Sequence, residues 1–397
     1  MIGVLGELMV ARQPLLDADV RVVGYQLEHR AHAAVDPVSA ARVLVDGLLT
    51  LGRRELTGGA DAWIEIPDPL LRSGVLLDLP GVGTVLTLAP GAEVDAELAD
   101  GIVRHRVAGY RVALGRVVPD DPRAPLLDLV DHATVDLAAT PDGLALVRRF
   151  AAAGVDVLVT GVHAHDTVEL AFAAGARLVQ GTFWTRAREV RAVRPRALAP
   201  GHLDLLAALA ADEVDLDEVE QLIRTDLTLT DRFLRLLRTT AGHRPITSIR
   251  DGLLVLGVRA VRRWVALLVV AGVDEDANPE LVRLASSRAR GCELLQELRG
   301  GDDLLGAFSV GMFSVLGDDG FLPPSVLETL PVDGDVRAAL ADGSGPLRPL
   351  LDTELAAERA SWDRFEASGQ DLGLSSGELA AAHVEALVWS AAFGNPA

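Results

Sequence analysis

The chain has 397 residues, enough for two or three domains, and 49% of them are hydrophobic, which excludes a disordered chain. It carries 37 basic and 57 acidic residues, for a net charge of -20, and its basic side chains are all arginine because lysine is absent. A chain this acidic repels polyphosphate at long range, which excludes general nucleic-acid binding.

The first half alternates amphipathic segments with short segments rich in valine and leucine. The amphipathic segments, predicted as helices, are residues 37–51, 93–107, 142–153 and 166–174. The short segments, predicted as strands, are residues 21–27, 62–66, 84–88, 111–114, 132–137, 156–160 and 177–180. This alternation is typical of a parallel sheet covered by helices. So many strands in about 185 residues favour a closed, TIM-like α/β barrel over an open sheet.

Arginine and proline crowd together in residues 186–200, which predicts a solvated linker. Beyond it, apolar residues recur at spacings of three and four, so the second half is predicted to be all-helical. The predicted helices are residues 203–210, 216–224, 229–239, 249–255, 258–270, 280–298, 304–316, 324–329, 336–341, 347–360 and 376–392. The predicted domains are therefore residues 1–185 and residues 201–397.

The chain carries no signal of secretion or of membrane anchoring. Residues 1–10 lack the basic start and small-residue cleavage site of a signal peptide. The longest apolar run, residues 264–273, is about half of the roughly twenty residues that a spanning helix needs. The single cysteine, Cys292, cannot form an intrachain disulfide and fits a reducing compartment. A cytoplasmic protein without a membrane partner is expected.

Five motifs of the first half resemble those of EAL-type cyclic di-GMP phosphodiesterase domains and follow in the same order. They are RQPL at 12–15, VVGYQLEHR at 22–30, GYRVAL at 109–114, TGVH at 160–163 and QGTF at 180–183. The resemblance implies a distorted barrel in which carboxylates hold divalent metal. There the metal activates a water molecule that attacks the phosphodiester.

The second half resembles the HDOD domain, and with it the subgroup of proteins that pair an EAL domain with a C-terminal HDOD domain. The matching segments are 217–230, 233–237, 245–250 and 256–259, followed in the tail by 311–316 and 385–389. This resemblance covers nearly the whole chain. It implies a helical bundle related to metal phosphohydrolases but without their ligands, and none of His202, His243 and His383 precedes an aspartate.

The chain departs from the EAL family at most of the positions that hold metal. In chain order, the residues at the metal-binding positions are Gln26, Glu65, Thr87, Gly115, Arg116, Thr160 and His163. Thr134 stands at the position of the family's lysine. Gly115 and Arg116 replace the paired aspartates, and Thr134 replaces the lysine. A mere preference for arginine would have left arginine at position 134, so the cation itself is lost. The closing glutamine is kept as Gln180.

These replacements predict a degenerate EAL-type barrel that holds no metal or other cofactor and does not hydrolyse cyclic di-GMP. Magnesium is usually held by one or two carboxylates, and here most carboxylates are gone. Arg116 places a cation where the metal would stand. Two cations about 4 Å apart repel by about 4 kcal/mol at an effective dielectric constant of about 20.

Three polar residues at the predicted barrel mouth allow two interpretations each. Gln26 and Glu28 lie two apart on a strand and so face one side. They form either a residual pocket that binds a ligand without cutting it or a mouth filled by neutral hydrogen bonds. The second is favoured because folds outlive their sites. Arg116 either grips a phosphate or pairs with Glu28 or Glu65, and the ion pair is favoured.

The segment His163-Ala164-His165-Asp166 has the form of a metal-binding tag, because alternate residues of a strand share a face. Asp166 stands where a helix should begin. It is therefore interpreted as the N-cap of that helix, and the tag as a chance match.

Arg259, Arg262 and Arg263 form the basic cluster of the helical half. They are candidates for docking an acidic partner surface, or else a solvated face neutralised by the acidic residues at 274–276. Trp264 beside them is interpreted as a core residue.

The sequence thus predicts a non-catalytic signalling protein that acts through an unidentified protein partner, with the helical half as its output surface. A homodimer is compatible with the sequence, since EAL-like barrels commonly dimerise. The alternative is a sensor that binds cyclic di-GMP without hydrolysis. A residual phosphodiesterase activity is the least favoured of the three functions.

Overall fold

The computed structural model describes residues 8–31, 56–77, 81–183, 200–210, 214–225, 229–230, 233, 248–258, 260–265, 279–317, 320–322, 324–328, 330 and 332–391. The chain divides into two compact units. The first unit comprises Met1–Arg188 together with Ala356–Ala397, and the second comprises Glu189–Leu355.

Eight strands of the first unit close into a barrel, each paired with its neighbours in chain order. They are β1 (Leu8–Leu16), β2 (Val22–Ala31), β3 (Asp61–Ile66), β4 (Thr84–Leu88), β5 (Arg111–Leu114), β6 (His132–Asp136), β7 (Asp156–Val162) and β8 (Leu178–Gly181). The predicted α/β barrel is confirmed, and the predicted strands at 84–88 and 111–114 agree with β4 and β5 to the residue.

The strands predicted from the sequence form a parallel sheet, as expected, and the structure adds β1, which runs antiparallel to both β2 and β8. The other neighbouring pairs are parallel. A short turn joins β1 to β2. In it the Asp17 carboxylate accepts hydrogen bonds from the backbone N–H groups of Asp19 and Arg21, at 3.0 and 2.9 Å. This side-chain cap of the turn lets the chain reverse within five residues.

Helices cover the barrel after most of the parallel strands. They are α1 (Asp68–Ser73), α2 (Ala96–Val107), α3 (Gly143–Ala152) and α4 (His165–Ala173), with a 3-10 helix at Ala124–Leu129. The predicted helix at 37–51 lies outside the described residues. The N-cap of α4 is Ala164, so the prediction that Asp166 caps this helix is wrong. Asp166 lies in the first turn, where its charge still favours the positive end of the helix dipole.

Successive strand residues point alternately out of and into the barrel, which gives two apolar cores. The larger core lies between the strands and the helices and contains residues of both. The smaller core contains strand residues only, so it fills the barrel interior. We call it the apolar plug; its members are Leu15, Trp63, Val85, Ala113, Leu158 and Leu178. The plug separates the two open ends of the barrel.

A buried arginine ties together the ends of β4 and β5. Arg123 is 1% exposed, and its Nε and Nη2 donate to the two carboxylate oxygens of Asp121 at 3.0 and 2.8 Å. Its Nη1 donates to the carbonyls of Leu88 and Ala89, and its Nη2 to that of Gly115 at 2.7 Å. Burial by itself would raise the pKa of Asp121, but the hydrogen bonds from Arg123 outweigh it and lower that pKa.

The described elements of the second unit are helical, as predicted. They are α5 (Pro200–Ala210), α6 (Leu216–Thr225), α7 (Ile249–Leu256), α8 (Pro279–Leu298), α9 (Leu304–Phe313), α10 (Pro324–Leu327), α11 (Gly334–Ala341) and α12 (Arg348–Glu358), with a 3-10 helix at Ser314–Leu316. Ser248 caps α7, because its side chain accepts a hydrogen bond from the backbone N–H of Asp251. Trp264 packs on the ring of Phe233, which confirms its core role. The predicted linker 186–200 lies outside the described residues except for Pro200.

The last two helices, α13 (Trp362–Asp371) and α14 (Ser376–Ser390), belong to the first unit. Sequence analysis places them in residues 201–397, and it does not predict α13. Val388 of α14 packs against the outer core of the barrel. The Arg12 guanidinium lies 4.8 Å from the centre of the Tyr25 ring and donates to Leu56 and to Ser390 Oγ. Within the described residues, no helix has the length and apolarity that a bilayer crossing requires.

We expect Arg123→Met to lower the free energy of unfolding of the barrel by about 3–5 kcal/mol, because it leaves the Asp121 carboxylate buried without its cation. The midpoint of urea denaturation, followed by circular dichroism, measures this loss. The matched control is Arg106→Met. Arg106 pairs with Asp131 at 2.8 Å but is 39% exposed, so the expected loss is below about 1 kcal/mol. Equal losses in the two variants would contradict the role of the buried pair.

Candidate functional site

Polar side chains gather at the end of the barrel where the parallel strands finish, the end at which barrels of this kind hold their active sites. We call this end the upper mouth. Its members are Gln26 and Glu28 of β2, Glu65 of β3, Thr87 of β4, Gly115 and Arg116 after β5, Thr134 of β6, Thr160 of β7 and Gln180 of β8. The structure thus places these sequence-predicted residues at one end of the barrel. His163 is exposed just beyond β7, where its Nδ1 lies 3.0 Å from Thr182 Oγ1.

Arg116 pairs with Glu65 across the upper mouth. Its Nη2 donates to Glu65 Oε1 at 2.7 Å, so the internal ion pair favoured from the sequence is present. The Arg116 backbone N–H donates to Thr134 Oγ1 at 2.6 Å. Arg116 has a φ of +46°, a left-handed conformation that costs a non-glycine residue about 1–2 kcal/mol. The Thr134 hydroxyl therefore holds a strained residue in place.

Gly115 packs tightly beneath this ion pair. A Cβ at this position would lie 3.0 Å from both Thr87 Cγ2 and the Leu88 carbonyl oxygen, and 3.7 Å from Glu65 Oε2. The close approach brings the backbone after β5 directly against β3 and β4. Thr87, only 6% exposed, supplies a methyl group to that contact.

Glu28 is the second carboxylate of the upper mouth. Burial raises its pKa, the negative charge of Glu65 raises it further, and the positive charge of Arg116 lowers it. The two carboxylates therefore share a single guanidinium as their nearest cation, and Arg116 bonds directly to Glu65.

A pair of glutamines lies on the other side of the upper mouth, and sequence analysis finds only one of them. Gln180 Nε2 donates to Gln13 Oε1 at 3.0 Å, and Gln13 is the register partner of Gln26. Gln13 lies on β1, a strand that sequence analysis does not predict. The RQPL motif at 12–15 is the signal that could have drawn attention to it.

The residues present do not fit a divalent metal. The two carboxylates lie beside a guanidinium, and the other positions hold amides, hydroxyls and a glycine, which lack the charge that magnesium or calcium requires. Among the described residues, no group of three or more His, Cys, Asp or Glu side chains is placed to hold a metal ion.

The tag at residues 163–166 does not come together as a pair of ligands. β7 ends at Val162 and α4 begins at His165, so the two histidines do not lie on one strand. The exposed His163 lies at the rim. The half-buried ring of His165 packs edge-on against Phe183 at 5.8 Å.

The arginines predicted to form a partner surface are half-buried in the second unit. The Arg262 guanidinium donates to the Leu209 carbonyl. The Arg263 guanidinium pairs with Glu293 and lies 5.6 Å from the centre of the Phe308 ring. Arg259 lies outside the described residues. Both described guanidiniums are thus engaged within their own unit, and a partner surface on this cluster stays a prediction.

The fold and the upper mouth define a protein that joins a closed α/β barrel to a helical bundle. The family model of the HDOD domain matches residues 197–318, so this part of the chain is an HDOD domain. The chain is 29% identical over 403 residues to the cyclic di-GMP phosphodiesterase CdgJ of Vibrio cholerae, covering 96% of this chain and 92% of that protein. It is 22% identical over 403 residues to YuxH of Bacillus subtilis, covering 96% of this chain and 98% of that protein.

Solved structures with similarity to the chain include the PaMucR phosphodiesterase in complex with c-di-GMP, at 17% identity and a TM-score of 0.38, over 44% of this chain and 94% of that one. Another is the EAL-domain protein YkuI of Bacillus subtilis with c-di-GMP and calcium, at 15% identity and a TM-score of 0.39. The similarity covers 64% of this chain and 72% of YkuI. The predicted resemblance of the second half to the HDOD domain is confirmed, and the chain is similar along nearly its whole length to a cyclic di-GMP phosphodiesterase.

We expect Arg116→Gln to raise the pKa of Glu28 further, because the cation that lowers it is removed. A carboxyl group with a raised pKa stabilises the fold fully below its unfolded-state pKa, and this contribution is lost as pH rises through the folded-state pKa. The variant should therefore lose stability as pH rises above the ordinary glutamate pKa of 4.5, by up to about 1 kcal/mol at pH 7.

Denaturant unfolding measured at several pH values gives this profile. Arg148→Gln is the matched control, because Arg148 is exposed on α3, away from the upper mouth. A loss of stability in Arg116→Gln that is constant across this pH range would show that Arg116 does not act on the carboxylates.

Proposed function

We propose that this chain works in cyclic di-GMP signalling as a non-catalytic protein that acts by binding another protein. The likeness to CdgJ along nearly the whole chain, together with the HDOD domain, supports the link to this pathway. CdgJ is a cyclic di-GMP phosphodiesterase, so the proposed absence of catalysis in this chain rests on the residues of the upper mouth.

The observation that carries the proposal is the ion pair between Arg116 and Glu65 at 2.7 Å. Hydrolysis of the EAL type needs metal-activated water, and the metal is held by carboxylates whose charge is not already neutralised. Here the guanidinium neutralises one of the two carboxylates and repels a second cation. The remaining amides and hydroxyls of the upper mouth supply no compensating negative charge.

A second candidate is a sensor that binds cyclic di-GMP without hydrolysis. The Arg116 side chain is 56% exposed, so its guanidinium is open to solvent beside Glu65. A phosphate group can compete for it, because its planar fork suits phosphate as well as carboxylate. The amides of Gln26 and Gln180 would then supply further hydrogen bonds to the ligand.

Isothermal calorimetry and a hydrolysis assay on the full chain distinguish these functions. We expect no turnover of cyclic di-GMP above the buffer background with either magnesium or manganese, and no heat of binding. Binding without turnover would select the sensor. Turnover that depends on the added metal would overturn the non-catalytic proposal.

We expect Arg116→Asp to create a manganese site, because it replaces the cation of the upper mouth by a third carboxylate beside Glu28 and Glu65. Manganese binding, measured by electron paramagnetic resonance, should be at least about tenfold tighter than in the natural chain, a change of about 1.4 kcal/mol. Arg116→Asn is the matched control. Asparagine and aspartate both tolerate the left-handed backbone, but only aspartate adds charge. Manganese bound equally by the natural chain would remove the basis of the proposal.

Cross-linking tests the protein-binding part of the proposal. The chain has no lysine, so a carboxylate-reactive cross-linker is required. Once a partner has been captured by the full chain, we expect its cross-links to map to carboxylates of the helical unit, residues 200–355. Cross-links confined to the barrel would contradict the assignment of the output surface to the helical unit.

A further inference from the structure

A cavity of about 400 Å³ opens at the end of the barrel opposite the upper mouth. We call it the lower cavity. Its walls include the first residues of five parallel strands, namely Asp61, Arg111, His132, Asp156 and Leu178. Its volume lies in the range of small-molecule sites, about 300–1,000 Å³.

The apolar plug separates the lower cavity from the upper mouth. Trp63 and Leu178 belong both to the plug and to the cavity wall, so they form the floor. Phe172 of α4 adds a second aromatic ring to the lining. A ligand in the lower cavity would therefore contact no residue of the upper mouth.

Most of the charges around the lower cavity are already paired. Arg111 pairs with Asp61 at 2.5 Å, and Arg21 pairs with Asp19 at 3.0 Å. Asp17 accepts the backbone hydrogen bonds of the turn after β1. Two lining charges of opposite sign have no partner among the described residues, the carboxylate of Asp156 and the guanidinium of Arg177, and both residues are exposed.

The buried imidazole of His132 adds a third ring to the lining of the lower cavity. His132 is 7% exposed and lines the cavity, while its Nε2 is enclosed by protein and has no hydrogen-bond partner among the described residues. Its ring lies 4.8 Å from that of Trp63, centre to centre. Burial lowers the pKa of His132, and the charge of Arg111 lowers it further, so the imidazole is neutral at pH 7 and the wall beside Trp63 is uncharged.

We propose that the lower cavity binds an aromatic α-amino acid. The ligand carboxylate pairs with Arg177, and its ammonium group pairs with Asp156. The ring packs against Trp63 and Phe172, beside the imidazole of His132. A zwitterion supplies a counter-charge to both Arg177 and Asp156, whereas a ligand with a single charge would leave one of them unpaired.

Calorimetry on the full chain with L-tryptophan and two analogues tests the charge pattern. Tryptamine lacks the carboxylate, and indole-3-propionate lacks the ammonium group. We expect L-tryptophan to bind and each analogue to bind at least about tenfold more weakly, since each loses one charge-assisted hydrogen bond. Failure of L-tryptophan to bind at millimolar concentration would overturn the proposal.

Single substitutions then assign the two ends of the ligand. Arg177→Gln should weaken the binding of L-tryptophan about tenfold and leave the binding of tryptamine unchanged. Asp156→Asn should also weaken the binding of L-tryptophan about tenfold, and it should leave the binding of indole-3-propionate unchanged. The controls are Arg148→Gln and Asp128→Asn, which remove exposed charges outside the cavity lining. Equal affinity of all four variants for L-tryptophan would place its binding elsewhere. These outcomes are independent of the function proposed for the upper mouth.

Discussion

The buried guanidinium of Arg123 fixes the geometry on which the upper mouth depends. It binds one carboxylate and three backbone carbonyls, and these carbonyls belong to the ends of β4 and β5. Taking an ion pair out of water is costly, and the cost is offset only when the donors and acceptors are satisfied, as they are here. The strand ends cannot separate without breaking this network. The network therefore holds Thr87, Gly115 and Arg116 in place, and from this position the Arg116 guanidinium reaches Glu65.

The two ends of the barrel are chemically different because the apolar plug divides them. The upper mouth neutralises its charge internally, through Arg116 and through amide hydrogen bonds such as that between Gln180 and Gln13. The lower end leaves one carboxylate and one guanidinium without partners beside an unpaired imidazole nitrogen. The same strands thus present separate chemistries at their two ends. A barrel can in this way change its function at one end while its fold is preserved, since function belongs to the site.

Local pattern accounts for what could be predicted. β4 and β5 are short, buried and bounded by glycine or polar residues, so their limits are visible in the sequence, and motif spacing locates most of the upper mouth. β1 could not be predicted in the same way, because Arg12, Gln13 and Pro14 interrupt its apolar pattern. The role of Arg123 depends on carbonyls up to 35 residues away, which no side-chain pattern records. The same applies to α14, whose place beside the barrel is decided by contacts between the two ends of the chain.

The hydrogen bond from Arg12 to Ser390 joins residues 378 positions apart. A ribosome adding about 5–20 residues per second needs roughly 20–75 s to make the second partner after the first. During that interval β1 and β2 have been synthesised, but the helix that covers them has not. The HDOD domain is synthesised in between and so can fold before the barrel is complete. Removing α14 would consequently affect the first strand of the barrel, and the synthesis of α14 sets the earliest moment at which the barrel is finished.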